Sequence, residues 1–312
     1  MKDAGAGLTP VPLAPAPSAK ALALDVGRRL DGLLQGDHLG FLPGPGSEPA
    51  EARLYAPGDD VRRIDWAVTA RTQAPHVRQS VAERELETTL LVDLTASMSF
   101  GTARTEKREV AVAVAAAFAH LASGPGDRVG AVLLGERVRR VRARAGREAS
   151  LALLHLLLES PRVLGTGPTL AEGIAAVASP PRRRGLQVVV SDLLEPGPPQ
   201  ETPSWAQPLR RLATRHEVVV VEVLDPRELA LPAVGTLRLV DPESGRQTEV
   251  RTGRALRERY AAAAAARRQG HAAAVRAAGA GHVVVRTDRD WLPDLARFLA
   301  TRRRVRAAGR AR

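Results

Sequence analysis

The 312-residue chain has no cysteine and no asparagine, only three lysines, and just 3% aromatic residues. Without cysteine there can be no disulfide, thiolate metal site or cysteine nucleophile, and the composition suits a reducing compartment. So few aromatics leave little for single-stranded nucleic acid to stack on. No window approaches the ~20 apolar residues that a membrane helix needs. Leu8 to Leu24 is broken by Pro10, Pro12, Pro15 and Pro17, so it lacks the apolar core of a signal peptide. The expectation is a soluble, cytoplasmic protein. Walker A, H-E-x-x-H and G-x-S-x-G sequences are also missing, and with them the commonest signatures of NTPases, zinc proteases and α/β-hydrolases. His76, His120, His216, His271 and His282 show no metal-ligand spacing. His120, on an Ala-rich stretch, reads as structural.

What is abundant is arginine. Lys2, Lys20 and Lys107 are the lysines among 46 basic residues, so the other 43 are arginine. The net charge is +12 and the pI about 11.2, which on its face suggests an anionic partner. Abundant Ala, Gly and Pro beside that arginine are the mark of GC-rich coding, which discounts the charge as a functional signal. Nucleic acid is therefore not the expected partner. The runs Arg182–Arg184 and Thr301–Arg312 read as solvated faces or frayed ends.

Residues 1–20 are Pro/Ala-rich and expected to be disordered. Residues 21–86 form an N-terminal segment, with a helix over Leu22–Leu34 and a Gly/Pro loop over Gly40–Pro49, expected to pack on the sheet of residues 87–300. A basic tail, 301–312, follows. Strands are predicted at Leu90–Asp93, Val129–Leu134, Arg137–Val141, Val188–Ser191, Val218–Val223 and Val283–Arg286. Helices are predicted at Glu106–Ala122, Ser150–Leu158, Leu170–Ala178, Ser204–Thr214, Arg254–Ala277 and Asp290–Ala300. Strands separated by helices imply a doubly wound, mostly parallel α/β sheet covered on both faces, of Rossmann type. Thr236–Val240 and Gln247–Val250 read as an inserted hairpin.

The most informative stretch is Asp93-Leu94-Thr95-Ala96-Ser97, where the first apolar strand ends. Its alternate residues are an acid and two hydroxyls, hard oxygen ligands suited to Mg²⁺ or Mn²⁺. Asp192 ends the fourth strand. In a 3-2-1-4-5-6 order these two strands flank the switch point, where ligands bind outside the carboxyl ends. The loop Gly165–Thr169 precedes a helix and could deliver a further hydroxyl. Each element also has a plainer reading. Asp93 with Thr95 and Ser97 could be an Asx turn and cap, Asp192 could cap its own turn, and Thr169 with Glu172 matches a T-x-x-E capping box. All three fall at the carboxyl edge of one sheet, which favours a metal site of Asp93, Thr95, Ser97, Asp192 and a hydroxyl from the Gly165–Thr169 loop.

Asp93-x-Thr95-x-Ser97, the hydroxyl-bearing loop and Asp192 resemble the metal-ion-dependent adhesion site of von Willebrand factor A domains. A longer set is more specific: Gly44-x-Gly46, Arg53-x-Tyr55-x-Pro57-Gly58-Asp59-Asp60-Val61-Arg62-Arg63-Ile64-Asp65-Trp66, Ala70-Arg71 and Ser97-Met98-x-Phe100-Gly101. Together these resemble the bacterial "domain of unknown function fifty-eight" family over residues 28 to 300. The resemblance implies a von Willebrand A-like domain that works, without catalysis, as a metal-dependent protein-binding partner of a MoxR-type AAA+ ATPase. It also implies that Thr95 and Ser97 bind the metal directly, that Asp93 and Asp192 act directly or through water, and that an acidic protein ligand fills the open position. The middle position of D-x-S-x-S is Thr here. Against the family's T-x-L-x-x-A-L pattern, Pro168 falls where the threonine belongs, so Thr169 or Thr166 takes that role. Many relatives also carry membrane helices upstream.

Arg62, Arg63, Asp65, Trp66 and Arg71 form a candidate partner surface. They could equally be an ion-pair network with Trp66 as its apolar anchor. The enzyme alternative, a magnesium-dependent phosphotransferase, generally wants a second acid two residues after Asp93, and that position is Thr95.

Overall fold

A computed structural model describes residues 18–34, 52–56, 60–78, 86–102, 104–124, 126–179, 185–197, 202–240 and 245–310. The chain begins with α1 (Ala19–Leu34), β1 (Ala52–Leu54), α2 (Trp66–Thr72) and β2 (His76–Arg78). Then come β3 (Glu87–Asp93), α3 (Lys107–Leu121), β4 (Arg128–Leu134), β5 (Val138–Ala145), α4 (Arg147–Glu159), α5 (Leu170–Ala178) and β6 (Gly185–Ser191). The remainder is α6 (Ala206–Ala213), β7 (Glu217–Leu224), β8 (Thr236–Val240), β9 (Gln247–Arg251), α7 (Arg254–Ala277), β10 (Gly281–Arg286) and α8 (Leu292–Arg310).

Six strands form one sheet in the order β10-β7-β6-β3-β4-β5. All neighbours are parallel except the edge pair β4 and β5. Numbered along the sheet strands alone, and read from the β5 edge, this is 3-2-1-4-5-6, the doubly wound, von Willebrand A-like order expected from the sequence. β3 and β6 lie side by side, Val92 opposite Val190, so the switch point falls between the ends carrying Asp93 and Asp192. β8 and β9 form the expected hairpin, whose turn residues 241–244 lie outside the described ones.

The central strands are apolar on both faces because both faces are covered. Leu90, Val92, Val188, Val190, Val219 and Val221 face one core, which α1, α3, α4 and α8 close. Leu91, Val132, Val189, Val218 and Val220 face the other, under α5, α6 and α7. α3 is buried almost all round because it lies between the sheet and α1, whose Val26 and Leu30 are buried. Its alanines, Ala111, Ala115, Ala116, Ala117 and Ala119, allow close approach on both sides; a helix apolar all round is a buried helix. His120 joins the two helices, its Nε2 2.9 Å from Asp31 Oδ1.

β1 and β2 make a separate antiparallel pair. α2, not expected from the sequence, starts where Asp65 accepts from the backbone N–H of Ala67 and Val68. The helix expected to stop at Ala300 continues to Arg310, so much of the basic tail is helical. Residues 1–17, the 40–49 loop with Gly44 and Gly46, residues 57–59 and residues 182–184 lie outside the described residues.

Candidate metal centre and its buried lysine

At the end of β3, Leu94 N–H still bonds Leu134 O at 2.7 Å, which holds the turn against β4. Asp93 is buried, with both carboxylate oxygens hydrogen-bonded. Its Oδ1 accepts from Thr95 N at 3.0 Å and from Thr95 Oγ1 at 2.6 Å. Its Oδ2 accepts from Ser191 Oγ, at the end of β6, at 2.6 Å. Ser97 opens the next turn, with its Oγ 3.4 Å from Thr95 Oγ1. The Thr95 hydroxyl thus bonds Asp93, while that of Ser97 lies beside it and bonds Asp192.

Asp192 is buried beside them. Its Oδ1 accepts from Leu194 N at 3.0 Å, the local turn expected from sequence, with Leu193 between them at φ 60°. Its Oδ2 accepts from Lys107 Nζ at 2.7 Å. Lys107, the first residue of α3, has no exposed side-chain surface and also pairs with Glu228 Oε1. Its ammonium lies 5.8 Å from the centre of the Phe100 ring.

Electrostatics follow from that arrangement. Burial, then the Asp192 charge, push the Asp93 carboxyl up to about 6, against the hydrogen bonds from Ser191 and Thr95. Burial would also raise Asp192, but the adjacent Lys107 ammonium outweighs it and holds this carboxyl below its ordinary range. Glu228 is raised by burial despite Lys107. Asp192 and Glu228 share one ammonium and Asp93 lies beside Asp192, so the cluster is two positive charges short when all three carboxylates are ionised. A divalent cation closes that deficit, and the donor set of carboxylates and hydroxyls suits a hard one. Asp93, Thr95, Ser97 and Asp192 fit such an ion. Among the described residues no three histidine or carboxylate side chains converge as a metal cluster, so hydroxyls would have to complete the set.

Thr169 stands apart in its bonding. It caps α5: its Oγ1 accepts from Glu172 N at 3.3 Å and donates to Glu172 Oε2 at 3.0 Å. The T-x-x-E capping box is therefore formed. The loop before it passes the site, since a Cβ on Gly167 would sit 3.6 Å from Thr95 Cγ2 and 3.0 Å from Gly135 O. Thr166 in that loop is exposed.

Arg62 and Arg71 are exposed, while the Arg63 side chain lies outside the described residues. Asp65 and Asp60 cap short helices, Asp60 accepting from Arg62 N at 3.0 Å. Trp66 is 71% exposed, which corrects the expectation of an apolar anchor: its place at the first turn of α2 turns the indole outward.

Sequence reasoning passed over Lys107, Glu228 and Ser191. One signal was there. A chain that writes 43 of its 46 basic residues as arginine makes each lysine a position to question.

The chain is 52% identical over 296 residues to an uncharacterized protein of Mycobacterium tuberculosis (strain H37Rv), covering 94% of this chain and 92% of that one. The same values hold for an uncharacterized protein of Mycobacterium bovis. Among solved structures, the conserved hypothetical protein BatB from Bacteroides thetaiotaomicron matches at 17% identity and TM-score 0.41, over 69% of this chain and 98% of that one. The von Willebrand factor type A protein from Catenulispora acidiphila matches at 11% identity and TM-score 0.39, over 70% of this chain and 42% of that one. At such scores the fold rests on this chain's own strand order. Residues 51–270 match the model of the family described as "Protein of unknown function DUF58", so the chain belongs to the DUF58 family.

Proposed function

We propose that this protein is a non-enzymatic, metal-dependent protein-interaction module. Asp93, Thr95, Ser97 and Asp192 would hold Mg²⁺ or Mn²⁺, with the 165–169 loop at the rim. The bound ion would offer an acidic protein ligand a cation at the carboxyl edge of the sheet. The observation that carries this reading is the charge deficit: three buried or nearly buried carboxylates with one buried ammonium, next to two hydroxyls at a switch point. The narrower role that the family resemblance implies is an adaptor for a MoxR-type AAA+ ATPase in complex assembly or maturation, and the proposal places it in the cytoplasm. No helix among the described residues is long and apolar enough to cross a membrane.

The test is thermal unfolding of chelated protein with and without millimolar Mg²⁺ or Mn²⁺, beside Asp93→Ala. Metal at ~100 times its Kd should add roughly 2.7 kcal/mol, or several degrees for a domain near this size. The shift is expected in the wild type and absent in the variant. Equal shifts in both would place the metal elsewhere. A phosphotransferase reading would instead require turnover that Asp93→Ala abolishes; Thr95 at the position of the usual second acid argues against it.

A further inference from the structure

We infer that Lys107 is a built-in cation that competes with the metal for Asp192 and so sets how tightly the site holds an ion. The inference rests on the metal reading above and deepens it. The Lys107 ammonium is fully buried, 2.7 Å from Asp192 Oδ2. A divalent ion held by Asp192 must share that carboxylate with a positive charge already in place. Two cations on one buried carboxylate repel, and the repulsion is strong where water does not screen it.

The ammonium is bonded to Glu228 as well as to Asp192, and that second partner is anchored. Glu228 Oε2 accepts from Asp225 N at 3.0 Å. Asp225 in turn accepts from Thr102 N at 2.9 Å and from Thr287 Oγ1 at 2.8 Å. A metal arriving at Asp192 therefore pushes Lys107 off that carboxylate and leaves it on Glu228, which already holds it. The balance between the two acids is the device: whatever weakens the lysine's hold on Asp192 tightens metal binding, and whatever strengthens that hold loosens it. Lysine suits this task because its ammonium is a compact point charge on a flexible stem, whereas an arginine fork would lock to one geometry.

The experiment is calorimetric titration of the full chain with Mn²⁺ at pH 7.5. Lys107→Met keeps the side-chain length and removes the charge, and Mn²⁺ should bind at least about tenfold more tightly. Glu228→Gln removes the lysine's second carboxylate, leaves the ammonium to Asp192, and should weaken Mn²⁺ binding. A merely structural lysine would not move affinity in opposite directions in the two variants. Unchanged or weaker binding by folded Lys107→Met overturns the inference, and the metal reading survives if wild-type binding is lost in Asp93→Ala. Binding by Lys107→Met with none by wild type supports the inference in its strongest form. Binding by neither overturns both. If Lys107→Met fails to fold by circular dichroism, Glu228→Gln decides, and unaltered Mn²⁺ affinity there overturns the inference.

Discussion

Glu222 shows how far one side chain's chemistry depends on its neighbours. It sits on β7 with its side chain 1% exposed. His282 Nε2 from β10 lies 2.9 Å from its Oε2, and His271 Nδ1 from α7 lies 3.6 Å from its Oε1. Trp205 meets the His271 ring edge-on at 5.8 Å. Burial alone would raise the Glu222 carboxyl, as it does at Asp93, but the two histidines bring it down to about 2. The folded pKa is below the ordinary 4.5, so between those values the unfolded chain holds more protons and stability rises with pH. The contribution is complete above pH 4.5 and is lost as pH falls toward 2; the shift corresponds to about 3 kcal/mol. Glu222→Gln should be markedly less stable than wild type at pH 6, and urea midpoints of the two should converge as pH drops through this window. A gap that stays constant down to pH 2.5 would show that packing, not charge, makes the difference.

Among the elements, the two ends of the site loops differ in how local their causes are. The α5 cap is made by residues three apart, Thr169 and Glu172, and the T-x-x-E pattern displays it. Thr169→Ala should cost about 1 kcal/mol from the lost cap. If Thr169 serves as a cap alone, the metal-induced shift in unfolding temperature will equal that of wild type; a shift reduced to the Asp93→Ala level would make it a ligand. Lys107 is the opposite case. Its partners lie 85 and 121 residues away, and no periodicity within α3 points to them. Ser191 is similar: in sequence it is one more strand residue, and only the parallel register of β6 on β3 brings its hydroxyl to Asp93.

At the scale of the whole molecule, α1 covers the outer side of α3, so the N-terminal segment contributes to the main core through Val26 and Leu30. The β1–β2 pair presents a different character. Leu54, Val61 and Trp66 are all exposed there, and exposed Arg62 and Arg71 lie in the same short stretch. Large exposed side chains that add nothing to a core are where binding energy is found if a partner docks. Trp66→Ala should therefore leave stability within about 0.5 kcal/mol of wild type; if the proposed MoxR-type ATPase docks on this surface, the variant will also be retained less on the immobilised ATPase. A large loss of stability would return Trp66 to the anchoring role that was the other reading of the sequence.

The sheet's strands, most helix positions and the D-x-T-x-S loop are properties of sequence by itself, because short apolar runs, caps and turn chemistry act over a few residues. The strand order was also legible, since βα alternation leaves few right-handed, uncrossed arrangements. What only the tertiary structure decided is the charge inside the crevice. Asp192 looked like a turn cap or a metal ligand, and it is also the partner of a lysine from the start of α3. Trp66 was open between a partner surface and an apolar anchor, and it faces outward. In each case the outcome depends on which surfaces meet after folding. Pairwise electrostatics and burial act across space, so residues distant in the chain determine them together.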